Sequence, residues 1–183
     1  MKVSGFQETS TAIQNPFTFY YVQNNDWSSS HSYQFWNKNF TGAVGMNNDE
    51  TLKTIYSPSP SGFVEPKTAA FTGFTSTGGN TNNVSQFNVS GSFNKGWNLY
   101  TNGWKTGDII FINALLGYRD CYKDNSIPEG NIYKANTQNE NYYWTVGSSK
   151  TTLGYSLAIL HKLIFPQNDD YKSYGFNVLS VVE

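Results

Sequence analysis

Apolar and polar residues alternate along short stretches of this chain, with the two-residue period that lets a pleated strand bury one face. Tyr155–Leu160 sets Tyr155, Leu157 and Ile159 on one side and Ser156, Ala158 and Leu160 on the other. Gly175–Val181 alternates in the same way, with Phe176 and Val178 expected on the core side. The two stretches predict neighbouring strands joined by His161–Tyr174. Phe17–Val22 predicts an earlier strand, followed by a polar loop through Asn24, Asn25 and Asp26 to Trp27. The most hydrophobic run, Asp108–Leu116, is β-branched and too short for a buried helix, so it predicts a central buried strand that Gly117 ends. Thr51–Tyr56 also alternates, and Pro58 and Pro60 close it in a rigid turn that neither a helix nor a central strand can enter. Residues 72–96 are polar and glycine-rich, yet Phe71, Phe74, Phe87, Val89 and Phe93 recur like pegs that pin a long loop region to a core.

Composition narrows this picture to an α+β chain rich in strands and loops. Aromatic residues make up 17% and charged residues 14%, and the remainder is dominated by Asn, Ser, Thr and Gly, which favour turns and strands over helices. A length of 183 residues suits one domain, 1–183, and no linker or fixed-period repeat divides it. The net charge of −1 gives no field to draw phosphate backbones or anionic lipid, so neither nucleic acid nor direct membrane insertion is expected. Rings in this number exceed what a core of this size usually needs, and such rings are favoured anchors at recognition surfaces, although most of them are expected to fill the core.

Candidate chemistry is sparse, and the expectation is a non-enzymatic protein without cofactor or metal. His31 and His161 stand in no zinc-binding array, and no nucleophile motif surrounds Cys121, the single cysteine, which reads as a free thiol. Thr72–Gly79 lacks the lysine and helix of a phosphate cradle. Asp120, Asp124 and Glu129 are too loosely spaced for a calcium loop and read as a solvated turn. The sequons at Asn39, Asn83 and Asn88 matter only in a glycosylating host. Met1–Phe6 is followed by no apolar signal segment.

Several ordered blocks carry a resemblance: Thr54–Pro66, Ala70–Phe74, Phe87–Phe93 with Gly96-Trp97-Asn98, Gly117–Asp120, Tyr142-Tyr143-Trp144 and Tyr174–Val178. Upstream, Asn15-Pro16, Phe19-Tyr20, Asn25-Asp26-Trp27 and Phe35-Trp36-Asn37 extend it over nearly the whole chain. In these blocks the sequence resembles the Fibrobacter succinogenes major paralogous domain found in fimbrillin-like surface proteins of Bacteroidales. The resemblance implies a C-type-lectin-like fold with paired N- and C-terminal strands and long loops presenting a binding face. It implies a cell-surface adhesin or pilus-tip module, cut from a longer protein that is anchored in the outer membrane by a part preceding this sequence. Its partner would be a host or bacterial cell-surface protein or glycan.

The sequence departs from the family's Asn-rich outward face near its C-terminus. Tyr155, Leu157, Ile159, Ile164, Phe176 and Val178 keep the expected fold side, while Ala158, Leu160, His161, Leu163, Phe165, Asp169, Asp170 and Tyr171 replace the outward asparagines, with Leu179 where a basic residue is common. Such replacements are reachable from an AAC codon by changing only adenines, the signature by which diversity-generating retroelements vary C-type-lectin-like proteins. Residues 144–179 are therefore expected to form a diversified contact surface of Trp144, Ala158, Leu160, His161, Leu163, Phe165, Asp169, Asp170, Tyr171, Tyr174 and Leu179, with an exposed apolar patch at its centre. The alternative is a structural pilus subunit whose same face packs on a neighbouring subunit. A carbohydrate-active enzyme ranks behind both, because nothing in the sequence singles out two carboxylates.

Overall fold

In a computed structural model the chain is described for residues 2–22, 25–31, 35–40, 42, 44–92, 96–100, 105–112, 118–119, 140–160 and 162–183. Cys121, the loop carboxylates Asp120, Asp124 and Glu129, the peg Phe93, the run Ala114–Leu116 and the contact candidate His161 lie outside the described residues.

The architecture is rich in strands and loops, as the alternation predicts. Its centre is a four-stranded sheet of β7 (Glu140–Trp144), β8 (Leu153–Leu160), β9 (Leu163–Tyr171) and β10 (Asn177–Val178), in the order β10-β7-β8-β9. Only the β10–β7 pair is parallel. A second sheet orders β4 (Val89–Ser92), β5 (Gly96–Tyr100) and β6 (Ile109–Ile112) as antiparallel neighbours. Gly91 makes the close crossing of β4 and β5 possible: its φ is +143°, and a Cβ there would stand 2.2 Å from the Gly96 carbonyl oxygen. Two small ladders complete the described strands. β1 (Lys2–Ser4) runs parallel to β2 (Phe19–Tyr21), and β3 (Phe63–Val64) pairs with β11 (Val181–Val182). Between β1 and β2, α1 (Thr9–Gln14) is a helix of under two turns that ends where Asn15 and Pro16 cannot continue it.

The core forms where one face of the four-stranded sheet meets the second sheet. Tyr143, Leu157, Ile159 and Ile164 pack with Val89, Trp97 and Leu99, and with the loop rings Phe71, Phe74 and Phe87. The predicted pegs at 71, 74, 87 and 89 are thus buried, which is how a glycine- and asparagine-rich tract stays ordered. Asn88 fixes the same tract through polar contacts. Its side-chain amide donates to the carbonyls of Gly73 (2.7 Å) and Tyr100 (3.0 Å), and its oxygen accepts from the Lys105 amide. Asn88→Ala leaves all three groups without that partner, so the unfolding free energy measured in urea should fall by about 2 kcal/mol. An unchanged value would show that the tract is held by its rings alone. Burial of Asn88 also removes one of the three sequons from any glycosylating enzyme's reach.

Several expectations are corrected. The terminal strands do not pair with each other: β1 joins β2, and β11 joins β3, because Val181 and Val182 come to rest beside the Phe63-Val64 segment. Among the described strands the hydrophobic β6 stands last in its sheet, and Ile109 at its start is exposed. Thr51–Tyr56 forms no strand, and Leu52 faces solvent. The span expected to link two neighbouring strands is largely β9, which forms a hairpin with β8, while β10 crosses to the far side of β7.

The edge of β9 is covered by a loop. Thr81 exchanges backbone hydrogen bonds with Ile164, and the Asn80 side chain accepts from the Gln167 amide (3.1 Å) while donating toward its carbonyl. A side-chain amide thereby substitutes for a strand neighbour and blunts an edge open to pairing with other chains.

Candidate functional site

Whether the predicted contact residues share a surface depends on strand register, since paired residues in neighbouring strands point to the same face. Ser156 pairs with Asn168 and Ala158 with Phe165, so Leu157 alone on β8 stands opposite both Pro166 and Gln167 on β9. This bulge contains Pro166, which has no amide proton to give to a ladder, and it reverses the phase of β9. Leu163, Phe165, Asn168 and Asp170 therefore share the face of Ser156, Ala158 and Leu160, which is also the face of Glu140, Tyr142 and Trp144. Asp169 and Tyr171 turn to the opposite face, beside Tyr155 and Leu153. Strict alternation from Phe165 would have grouped Asp169 and Tyr171 with it.

Burial revises the display surface further. Ala158 is only 1% exposed and offers no surface, and Trp144 is largely covered, because both faces of β8 are covered from Ser156 to Ile159. Leu179 packs against the core cluster and not outward. Leu160, Leu163, Phe165, Asp170, Tyr171 and Tyr174 are half-buried, and only Asp169 is well exposed, accepting from the Ser149 hydroxyl at 2.7 Å. Among the described residues of the expected apolar patch, Leu160, Leu163, Phe165 and Tyr171 are each partly covered and none is fully open. Phe176 and Val178 also leave the side expected of them, since Val178 pairs with Trp144 on the face opposite Leu157 and Ile159. Phe176 stacks on Tyr142 and packs on Trp144, both at 4.5 Å between ring centres, with Tyr118 and Tyr174 closing the cluster.

Beside these rings lies a polar group. Asp170 accepts from Ser156 (3.4 Å) and from Asn168, whose amide also reaches the Ser156 hydroxyl at 3.3 Å. Burial pushes the Asp170 carboxyl up to about 7, helped by the nearby charges of Asp169 and Glu140, although its two hydrogen bonds pull the other way. Burial first, and then the Glu140 charge, also holds the Tyr142 hydroxyl well above its usual range.

The aromatic face continues into a cavity of about 570 Å³ between the sheet and the N-terminal segments. Trp27, Phe35, Trp36, Tyr56, Trp144 and Phe176 supply its rings, and Asp26 and Lys172 its charged groups. Trp27 and Phe35 lie nearly parallel, and Tyr56 meets Phe35 edge-on, so one wall is a fixed stack of rings. On the wall behind, Gly147 leaves no room for a side chain, since a Cβ would stand 2.1 Å from the Thr68 hydroxyl oxygen. The Asp26 carboxylate is 1% exposed; one oxygen accepts from the Ser28 amide at 3.1 Å, and the other stands 3.5 Å from His31 Nδ1 and 3.8 Å from Lys172 Nζ.

None of Asp26, Lys172, Phe35 and Tyr56 is among the contact residues expected from the sequence. Its Asn25-Asp26-Trp27 block was visible as a motif, but no local spacing ties Asp26 to a lysine so distant in sequence. Among the described residues no group of three or more His, Cys, Asp or Glu could hold a metal ion, and no helix is long and apolar enough to cross a membrane. No family model, no curated protein and no solved structure matches the chain.

Proposed function

We propose that this chain is a non-enzymatic ligand-binding module of a bacterial cell-surface adhesin or pilus tip, related to C-type-lectin-like domains, that recognises a glycan or protein on another cell. The observation that carries the reading is the ring-lined cavity, with Asp26 and Lys172 among its walls and Ile55 and Tyr56 exposed at its mouth. Apolar concavities of a few hundred Å³ with a small number of placed polar groups are the usual form of a ligand site. Rigid rings stacked before a ligand arrives also reduce the ordering cost of binding. The ordered sequence blocks support the adhesin class. Any retroelement diversification would act on the half-buried Leu160, Leu163, Phe165 and Asp170 of the β8–β9 sheet face, and a template repeat differing from the coding segment only at adenines is the genomic observation that tests it.

The experiment is a glycan and protein array probed with the wild type, with Tyr56→Ala, and with Leu160, Leu163 and Phe165 all changed to Asn. Tyr56 is partly exposed, so its truncation should leave the thermal midpoint unchanged. Tyr56→Ala should weaken binding about tenfold, equivalent to ~1.4 kcal/mol. If only the triple variant loses the ligand, the site belongs on the sheet face instead of the cavity. An array on which the wild type binds nothing sinks the adhesin reading.

A further inference from the structure

We propose that the side chains of Asp26 and Lys172 condense into an intramolecular amide, a covalent cross-link between the N-terminal segment and the end of β9. The geometry is that of two reactants held for each other. Lys172 Nζ stands 3.8 Å from Asp26 Oδ2, and the amine is kept in place by donating to the Thr151 carbonyl at 2.9 Å. Backbone contacts fix the two segments independently of these side chains. The Ser173 amide donates to the Asn25 carbonyl (3.2 Å), the Val22 amide to the Ser173 hydroxyl (3.0 Å), and the Lys172 amide to the Thr152 carbonyl (3.0 Å). Neighbours of both reacting residues are therefore anchored, which converts the encounter of two groups far apart in sequence into a positioned one.

An ion pair accounts poorly for this arrangement. A separation of 3.8 Å exceeds the ~2.7–2.9 Å of a charge-assisted hydrogen bond. Asp26 Oδ2 is buried and makes no hydrogen bond, so the pair bears the desolvation of two charges without the contact that offsets it. The surroundings favour the uncharged forms. Burial raises the Asp26 carboxyl above its ordinary range, against the pull of Ser28, Lys172 and His31, and burial lowers the Lys172 amine against the pull of Asp26. Both shifts run toward the uncharged carboxyl and free amine that amide formation uses.

The step balances without an external reagent. The Nζ lone pair attacks the Asp26 carboxyl carbon and forms the C–N bond, Nζ gives up one proton, and the carboxyl hydroxyl departs as water. His31 Nδ1, 3.5 Å from Oδ2, is placed to give a proton to the leaving oxygen, while the proton released by Nζ balances it, and its ring is held edge-on against Phe6. His31 acts here as a positioning and proton-carrying group. The product replaces a buried carboxyl and amine by one neutral amide and closes most of the chain into a covalent loop, which removes freedom from the unfolded chain as a disulfide does.

The test is the intact mass of the full chain, purified folded and then denatured, followed by peptide mapping of the same sample. The wild type should be lighter than its sequence by one water, and Asp26→Ala and Lys172→Ala should each have the full sequence mass. Mapping should yield one branched peptide joining the segments that contain Asp26 and Lys172. This branched peptide is sought in the wild type, so the result does not depend on the variants folding. A folded wild type at full sequence mass overturns the proposal. So does a loss of water without the branched peptide, which would mark an aspartyl succinimide instead.

Discussion

Ala158→Asn should destabilise the protein by about 3 kcal/mol, a large share of the usual stability of a single domain. On the outward face implied by the family resemblance, asparagine at this position would be neutral. Here Ala158 is 1% exposed between Tyr142 on β7 and Phe165 on β9, where a larger side chain must displace packed neighbours and an amide finds no waiting partner. Overpacking costs about 1–3 kcal/mol, and an unsatisfied buried amide costs a similar amount in proteins. Urea denaturation of the variant beside Leu160→Asn, at the half-buried end of the same strand, checks this. Equal and small losses for both would return Ala158 to the surface and make the tight sheet face wrong.

The second large effect is in pH. The Asp170 carboxyl has a folded value near 7 against an ordinary 3.8, so the folded chain holds this proton more tightly than the unfolded chain does. Below 3.8 both states carry the proton and the contribution to stability is complete. As pH rises the unfolded chain releases it first, and stability declines until the folded carboxyl has also ionised above about 7. A shift of this size corresponds to roughly 3 kcal/mol after allowing for the residual exposure of the group. Asp170→Asn keeps an oxygen that can accept from Ser156 and Asn168 but cannot ionise. Its thermal midpoint should match the wild type at pH 4 and exceed it at pH 8, with the gap opening between these values. A constant gap across the range would show that Asp170 titrates as an ordinary carboxylate. The charges of Asp169 and Glu140 act on Asp170, and Asp170 in turn acts on Tyr142, which makes the difference between variant and wild type more telling than either profile alone. Asp26 is raised in the same direction, and a condensed Asp26 would not titrate at all.

The aromatic face and the cavity were legible in the sequence to different degrees. Trp144 and Tyr174 were named as contacts, and both line the cavity. Phe35 and Tyr56, which also line it, lie in segments where nothing local marks them as contacts. Asp170 was named for the replacement it represents. Its unusual proton affinity comes from burial beside Asp169 and Glu140, a property of packing that residue type does not carry.

Local chemistry alone determined that this chain builds strands and ordered loops. Alternation marked β8, β-branched residues marked β6, paired prolines excluded regular structure at 58–60, and the recurring rings at 71, 74 and 87 announced a pinned tract. Tertiary structure decided which side of each strand meets what. One residue of bulge at Pro166 reversed the phase of β9 and sent Asp169 and Tyr171 away from Phe165, because a period of two turns a single-residue slip into a change of face. Crossing of β10 to the far side of β7 put Phe176 against Tyr142 and Trp144, and the meeting of the chain's two ends brought Asp26 to Lys172. Contacts of that kind join residues far apart in the chain, and no local pattern encodes them.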